Sequence, residues 1–184
     1  AYIEFRAPGT PSATTRVKPY ANLAVSRTMS KAFAFAGARV GYVAASAGII
    51  NCLRIVRMPY HLSAVTQATA LAGFDHTDDQ LAQVGHLREL REQTAQWLRE
   101  QTYKGEPLEV APSQSNFLMF GGHFDDRGMI FDEMLRRGVL IRVVGPDGWL
   151  RVCMGTDDEM ARFREALTAS MRAVEEQTNQ ANQQ

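Results

Sequence analysis

The chain has 184 residues, 45% of them hydrophobic and 22% charged, a composition typical of a globular protein with one full domain or two small ones. Twenty Lys and Arg residues balance twenty Asp and Glu residues, so no net field attracts the chain to nucleic acid or to an anionic membrane. Because of this balance, a small molecule is the expected partner. The apolar stretches of the chain fall far short of the roughly 20 residues of a membrane helix.

The first 77 residues are predicted to be the remainder of a larger α/β domain. Apolar and polar residues alternate over 1–5, which predicts the end of a strand and a chain that is a piece of a longer protein. Residues 6–21 contain three prolines and no periodic pattern, which predicts an exposed connection. The further elements predicted here are strands at 23–26 and 39–44 and helices at 47–57 and 63–74.

Residues 78–172 are predicted to form a smaller α+β domain with its own core. Apolar residues recur at steps of three, four and seven over 78–103, which predicts an amphipathic helix of about seven turns. The elements predicted after it are strands at 108–110 and 116–120, a helix at 125–137 ended by Gly138, strands at 139–143 and 149–154, and a last helix introduced by the capping-box spacing of Thr156 and Glu159.

The last residues, 173–184, are rich in Gln and Asn and have no apolar face. They have too little surface to bury to offset the entropy of ordering, which predicts a tail without fixed structure. The predicted fold class is therefore α/β, with the C-terminal part of a large domain at 1–77, a small α+β domain at 78–172 and a polar tail.

The chain contains two cysteines and four histidines, residue types that can form disulfides or bind metals. Cys52 and Cys153 form no CxxC pair, so they are expected to be small core residues of a chain in a reducing, cytoplasmic compartment. The histidines show none of the spacings of metal ligands, and no metal site is expected.

The segment 26–42 carries the strongest chemical signal. Lys31 stands among Ala, Phe and Gly residues, and burial there would favour the neutral amine that a Schiff base requires. Hydroxyls at Thr28 and Ser30 and a guanidinium at Arg39 suit a phosphate group, so the combination favours a phosphorylated aldehyde cofactor. On its own, Lys31 is better explained as a solvated residue at a strand end, since most lysines lie on the surface.

The same segment resembles a known family. Its Thr-x-Ser-Lys-Ala-Phe and Ala-Gly-x-Arg-Val-Gly-Tyr motifs are similar to the lysine segment of pyridoxal-phosphate-dependent aminotransferases of fold type I, in particular the histidinol-phosphate aminotransferase family. The resemblance covers nearly the whole chain up to the tail. The other stretches that carry it are Ala-Tyr-Ile-Glu-Phe at 1–5, Pro-Ser-Gln-Ser-Asn-Phe at 112–117, and Gly-Val-Leu-Ile-Arg followed by Leu-Arg-Val-Cys-Met-Gly-Thr within 138–156.

The resemblance implies pyridoxal 5′-phosphate as the cofactor. It implies that Lys31 is catalytic, as the residue that forms the internal aldimine and moves a proton at the substrate's α carbon. It further implies that Thr28, Ser30 and Arg39 bind the phosphate of the cofactor, and that the hydroxyl of Tyr2 contacts the O3′ oxygen of its ring.

The resemblance also implies a substrate site with two arginines. Arg142 and Arg151 would hold the phosphate of histidinol phosphate or a carboxylate of glutamate, because a guanidinium fork accepts either group. Asn116 would line the same pocket. From residue type alone, the two arginines are more simply explained as surface residues with packed stems.

For the whole protein, the resemblance implies an aminotransferase of histidine biosynthesis that acts on histidinol phosphate and 2-oxoglutarate as a cytoplasmic homodimer. The family also uses an aspartate against the pyridine nitrogen and an asparagine, both upstream of Ala1 and absent from these 184 residues. Without that aspartate the electron sink is weakened, so this chain alone is expected to be a poor catalyst. Two alternatives stay open: an aromatic amino-acid aminotransferase of the same family, and a non-catalytic remnant that binds a partner.

Overall fold

The computed structural model describes residues 1–181. They fall into two compact units, an N-terminal unit of Ala1–Gly85 and a C-terminal unit that begins at His86. The boundary between them lies inside one helix, Thr77–Arg99, whereas the sequence predicted a boundary near the start of that helix. An unbroken amphipathic pattern gives no local signal for such a boundary, which only tertiary contacts define.

The N-terminal unit contains one antiparallel hairpin followed by helices. Strand β1 (Ala24–Thr28) pairs with β2 (Gly41–Ala45), so that Thr28 lies opposite Gly41. The helices that follow are α1 (Ala47–Val56), α2 (Ala64–Asp75) and the first part of α3 (Thr77–Arg99). The strands and helices predicted for residues 23–74 are confirmed, with ends displaced by no more than two residues.

The N-terminal residues do not form the predicted strand end. Ile3–Phe5 is a short 3-10 helix, closed by a hydrogen bond from the Phe5 amide to the Tyr2 carbonyl at 2.9 Å. So short an alternation does not specify a strand, and no strand of the described chain pairs with it. The turn instead buries Phe5, which is 1% exposed.

The helices of the N-terminal unit bury little surface. Helix α1 has no buried residue, and α2 buries only Ala70 and Gly73. Ser63 caps α2 by accepting a hydrogen bond from the Thr66 amide at 3.0 Å. These helices therefore form where local signals predict them, without a completed core beneath them.

The C-terminal unit contains two small sheets and two further helices. A short hairpin pairs β3 (Thr102–Tyr103) with β4 (Glu106–Pro107). The main sheet is antiparallel, in the order β5 (Glu109–Val110), β6 (Phe117–Phe124) and β7 (Gly148–Cys153). The helices are α4 (Arg127–Arg136) and α5 (Asp157–Ala181).

The main hydrophobic core lies between one face of this sheet and the helices. Alternate residues of β6 and β7 point into it, as the period of two in a strand requires. They are Leu118, Phe120, Leu150 and Val152. Helix α5 adds an apolar side with the predicted helical spacing, formed by Met160, Phe163, Leu167 and Met171, and extends it to Val174.

The predicted capping box at the start of α5 is confirmed. The Thr156 amide donates to Glu159 Oε2 at 2.8 Å, and the Glu159 amide donates to Thr156 Oγ1 at 3.3 Å. Hydrogen bonds from Thr156 hold the pKa of Glu159 below its usual range.

The strand predicted at 139–143 is reduced to a single bridge between Arg142 and Arg151. Gly138 ends α4 with φ +75°, as expected of a glycine after a helix. Gly145, with φ +95°, turns the chain again before Pro146. The short interval between these turns leaves only one residue pair in register with β7.

The tail prediction is wrong for residues 173–181, which continue helix α5, while residues 182–184 lie outside the described chain. Val174 is fully buried. Thr178 Oγ1 donates to Asp126 Oδ2 at 3.3 Å, and the Lys104 amide donates to Glu175. Polar contacts with the rest of the unit therefore stabilise a segment that has almost no apolar face of its own.

Both cysteines are exposed, which corrects their predicted place in the core. Cys52 lies on α1, which has no buried residue, and Cys153 lies next to buried Val152 on the opposite face of β7. None of the helices within residues 1–181 is long and apolar enough to cross a membrane.

Candidate functional site

Residues 29–40 form the lysine loop, which connects β1 to β2. Its ends are joined because the Met29 amide donates to the Val40 carbonyl at 3.1 Å, which extends the hairpin ladder. The Phe35 amide donates to the Met29 carbonyl at 3.0 Å. Met29 and Phe33 are 1% and 8% exposed, so buried side chains anchor the loop on both sides of Lys31.

Helix α2 holds the loop from the other direction. The rings of Phe33 and Phe74 meet edge to face with centroids 5.9 Å apart. At Gly73, an added Cβ would lie 2.3 Å from the ring of Phe35. Only glycine at this position lets the loop approach the helix so closely.

Thr28 and Ser30, the two predicted phosphate ligands with hydroxyl groups, lie together. Thr28 Oγ1 donates to Ser30 Oγ at 2.8 Å and accepts from the Ser30 amide at 3.1 Å. Both residues are half-buried. This local turn presents two hydroxyl oxygens directly before the lysine, as the spacing Thr-x-Ser-Lys predicted.

Lys31 is exposed, which corrects the prediction that apolar neighbours bury it. The side chains of Ala32 and Phe33 turn into the protein and leave Lys31 outside. Its Nζ atom lies 5.9 Å from the centroid of the Tyr2 ring, within the range of a cation–π contact. The structure thus brings together two predicted site residues that are far apart in sequence.

Arg39 has an unusual backbone conformation near the end of the lysine loop. Its φ of +55° is in the left-handed region, where a residue other than glycine costs on the order of 1 kcal/mol. One guanidinium nitrogen donates to the Ala36 carbonyl at 3.0 Å rather than to the hydroxyls of Thr28 or Ser30. The role of Arg39 as a phosphate ligand stays a prediction.

An ion pair joins the N-terminal turn to the hairpin. The Arg27 guanidinium donates to the Glu4 carboxylate, and the side chains are 17% and 10% exposed. Glu4 lies two residues after Tyr2, and Arg27 directly precedes Thr28. No sequence motif predicted this pair, since the only local signal was a charged residue at each position within an apolar stretch.

In the C-terminal unit, Arg142 and Arg151 form a cross-strand pair. The amide of each donates to the carbonyl of the other at 2.9 Å, so the two side chains project from the same face. Like charges placed opposite each other are unfavourable unless an anion balances them. Among the described residues, neither arginine has an acidic partner within salt-bridge distance.

Arg151 is held more firmly than Arg142. Its guanidinium carbon lies 4.9 Å from the centroid of the Phe117 ring. Its Nε atom is buried without a hydrogen-bond partner among the described residues, which is costly unless a ligand accepts the hydrogen bond. Arg142 is exposed. The pair therefore combines one fixed and one adjustable cation, an arrangement suited to a phosphate or carboxylate.

Asn116 lies in the loop that leads into β6. Its carbonyl accepts a hydrogen bond from the Met154 amide at 2.8 Å. The guanidinium of Arg91, which is 4% exposed, donates to the carbonyl of Ser115 at 2.9 Å. These bonds fix the backbone around Asn116, which stays a predicted substrate residue, and Arg91 is a second support that the sequence analysis missed.

The chain matches proteins of one family over most of its length. The sequence model described as aminotransferase class I and II matches residues 1–167. A histidinol-phosphate aminotransferase of Bifidobacterium adolescentis is 74% identical over 176 residues, which is 96% of this chain and 45% of that protein. One from Thermobifida fusca is 52% identical over 174 residues, covering 94% of this chain and 46% of that protein. The chain thus spans about half the length of these curated relatives.

Solved structures share the fold. The histidinol-phosphate aminotransferase of Sinorhizobium meliloti, solved in complex with pyridoxal-5′-phosphate, matches with a TM-score of 0.81 and 24% identity over 95% of this chain and 48% of that chain. That from Clostridium acetobutylicum has a TM-score of 0.80 and 20% identity over 94% and 53%. The predicted fold class, part of a fold type I transferase domain followed by a smaller α+β domain, is confirmed. The chain belongs to the family of class I and II aminotransferases.

Proposed function

We propose that the chain is the C-terminal part of a histidinol-phosphate aminotransferase, which exchanges an amino group between histidinol phosphate and 2-oxoglutarate. The high identity to relatives of that name supports this assignment. The approach of Lys31 to Tyr2, beside the paired hydroxyls of Thr28 and Ser30, is the observation that carries the chemistry.

The residues of the lysine loop fit pyridoxal phosphate. The Lys31 amine is exposed and makes no salt bridge among the described residues, so an aldehyde can reach it. The Thr28 and Ser30 hydroxyls would bind the phosphate with Arg39, since oxygen-seeking donors and a guanidinium suit that group. The Tyr2 hydroxyl would donate to the ring oxygen beside the aldehyde.

Each residue has a distinct part in the reaction. When bound, the cofactor would supply an aldehyde and a ring that withdraws electrons from the substrate's α carbon. Lys31 Nζ would hold the cofactor covalently before the reaction and then move a proton at that α carbon. Thr28, Ser30, Arg39 and Tyr2 would fix the group in one orientation, which converts random encounters into a single reactive geometry.

The arginine pair is the proposed substrate anchor. A phosphate monoester carries nearly two negative charges at neutral pH, so two guanidinium groups on one face balance it better than they balance a single carboxylate. The buried Nε of Arg151 would gain a hydrogen-bond acceptor. Asn116 would line the same pocket. We expect the full-length protein to be a cytoplasmic homodimer, as the family resemblance implies.

Covalent labelling tests the cofactor site. In the full-length protein, borohydride reduction should fix pyridoxal phosphate to the peptide that contains Lys31, and Lys31→Ala should abolish the label because it removes the amine that lies beside Tyr2. Mass spectrometry identifies the labelled residue. Lys18→Ala, which removes an exposed lysine of the same unit, should leave the label unchanged. A label on another lysine would reject the assignment.

Substrate preference tests the arginine pair. The full-length enzyme should prefer histidinol phosphate over phenylalanine in kcat/KM by about 100-fold or more, equivalent to roughly 2.7 kcal/mol of transition-state binding. Arg142→Ala should reduce that preference more than it reduces turnover of phenylalanine. Arg172→Ala, which changes an exposed arginine of α5, is the control. A wild-type preference for phenylalanine would instead support the aromatic aminotransferase alternative.

A further inference from the structure

We propose that Glu4 and Arg27 are a positioning pair, which holds the Tyr2 turn against the lysine hairpin and so sets the place of the Tyr2 ring beside Lys31. The inference rests on the proposed function for its chemical consequence. Its structural basis is the partly buried ion pair between the two side chains.

The burial of the pair separates it from ordinary surface ion pairs. Glu4 and Arg27 are 10% and 17% exposed, whereas His76 and Asp79 in the same unit are 70% and 85% exposed. Exposed pairs contribute little, but removing one partner of a buried pair leaves a charge without compensation. The two ends of this contact are therefore strongly coupled.

The Glu4 end belongs to a compact turn. The Phe5 amide donates to the Tyr2 carbonyl at 2.9 Å, and the Arg6 guanidinium donates to the Ile3 carbonyl at 2.5 Å. Phe5 is 1% exposed. Because these bonds fix Tyr2 relative to Glu4, a restraint on the Glu4 carboxylate is also a restraint on the Tyr2 ring.

The Arg27 end belongs to the lysine hairpin. Arg27 lies opposite Tyr42 in the β1–β2 ladder, and the next residue, Thr28, makes the hydrogen bonds that shape the turn before Lys31. The ion pair thus links two locally rigid pieces. Tyr2 on one piece and Lys31 on the other then come into contact, with Lys31 Nζ 5.9 Å from the centroid of the Tyr2 ring.

The charges of Glu4 and Arg27 compensate each other, so neither is a candidate for contact with a reacting atom. Their effect would pass through Tyr2. If its hydroxyl donates to the cofactor's ring oxygen, a displaced Tyr2 would weaken cofactor binding and would raise the pH at which the Lys31-bound chromophore takes up a proton. A pair with a merely structural role would change thermal stability alone.

Five variants of the full-length protein separate these possibilities: Glu4→Met, Arg27→Met, the double variant of both, Tyr2→Phe, and the triple variant that combines all three changes. Each single Met variant should lower Tm, because it leaves one buried charge unpaired. The double variant should recover most of that loss, since two apolar side chains of similar length replace the pair. Asp79→Asn, which breaks the exposed pair, is the matched control.

The decisive readouts are made on the double variant. In the cofactor-free protein, amide hydrogen exchange over residues 1–6 should become faster than in wild type. In the loaded protein, the pH midpoint of the visible absorbance should rise by about one unit and the cofactor Kd by about tenfold, which corresponds to one lost hydrogen bond. Tyr2→Phe should give the same rise, and adding it to the double variant should give no further change.

The outcomes distinguish this proposal from the proposed function. If the double variant has the same amide hydrogen exchange over residues 1–6 and the same pH midpoint as wild type, the positioning role is overturned, whatever the Tm of that variant. If wild-type protein takes no label at Lys31, the proposed function fails, and hydrogen exchange over residues 1–6 alone decides whether the pair holds the turn.

Discussion

The two units of the chain differ in how they bury apolar surface. The main core lies entirely in the C-terminal unit, where Tyr103, Phe120, Phe124 and Ile130 are fully buried. In the N-terminal unit, helix α1 has no buried residue at all. Several of its large apolar side chains are exposed, among them Ile55 at 84%, Val56 at 77%, Val65 at 76% and Leu71 at 67%.

The difference shows where each unit obtains its stability. The C-terminal unit has a sheet face covered by its own helices, which is a complete two-layer arrangement. The helices of the N-terminal unit present apolar surface that no described residue covers, and contiguous exposed apolar surface marks a site of further contact. The lysine loop belongs to the less complete unit, and the arginine pair belongs to the more complete one.

A matched pair of isoleucine substitutions should give the largest effect. Ile130→Ala should destabilise the C-terminal unit by about 2–5 kcal/mol, because it creates a cavity in the core. Ile55→Ala should change stability by less than about 0.5 kcal/mol, because that side chain is already in solvent. Urea denaturation followed by tryptophan fluorescence measures the loss in Ile130→Ala, since Trp97 and Trp149 lie in the C-terminal unit. Far-UV circular dichroism, which follows the helices of both units, measures the change in Ile55→Ala. Similar losses of stability in both variants would contradict the difference in burial between the two units.

Limited proteolysis should give a smaller but visible difference. Sites in the first 77 residues should be cut about tenfold faster than sites in the C-terminal unit, because weakly packed segments open more readily. Cleavage within 173–181 should be slow, since Val174 is buried and Thr178 and Glu175 bond the rest of the unit. Mass spectrometry of the first fragments is the measurement. A resistant fragment that retains Tyr2 through Lys31 would show that the N-terminal unit is self-sufficient.

The smallest effect is a pH dependence confined to the C-terminal unit. Burial alone would raise the pKa of Asp126, but its hydrogen bond with Lys104 and the nearby hydroxyl of Tyr103 hold that pKa below its ordinary value of 3.8. Its contribution to stability is therefore complete above that value and is lost as the pH falls through the lowered pKa. The Asp126→Asn variant should lose less stability than wild type on acidification.

Tryptophan fluorescence during acid titration measures that loss. Some acid sensitivity should remain in Asp126→Asn, because the pKa of Glu159 is lowered as well. The control is Asp79→Asn, which changes a carboxylate of the N-terminal unit and should leave the titration curve as in wild type. If Asp126→Asn has the same acid titration curve as wild type, Asp126 does not contribute to the loss of stability at low pH.

Tyr103, next to Asp126, makes stability depend on pH at the alkaline end of the titration instead of the acidic end. Burial, together with Asp126, raises the pKa of Tyr103 above its usual range. A raised pKa stabilises the protonated form, so its contribution is present at neutral pH and is lost only as the solution becomes strongly alkaline.

Sequence patterns were sufficient where the signal is local and repeated. The starts of α3 and α5, the capping box at Thr156 and the glycine that ends α4 all appear where the pattern placed them. The ends of the two long helices do not, since α3 ends at Arg99 instead of 103 and α5 continues into the predicted tail. Sequence patterns were insufficient for the segments 1–5 and 139–143, which were predicted to be strands. A strand needs a partner strand at the right distance, and a short alternation of apolar and polar residues does not reveal one.

For the candidate site, the sequence alone predicted which residues carry the chemistry. The Thr-x-Ser-Lys spacing predicts two hydroxyls beside an amine, and the structure has that local turn because it depends on adjacent residues only. The tertiary structure decided the contacts within each unit. In the N-terminal unit, Lys31 is exposed beside Tyr2 and a partly buried ion pair joins Glu4 to Arg27. In the C-terminal unit, two arginines lie on one face. These contacts join residues distant in sequence, and their formation depends on the balance of burial, desolvation and charge over the whole unit, which no local pattern records.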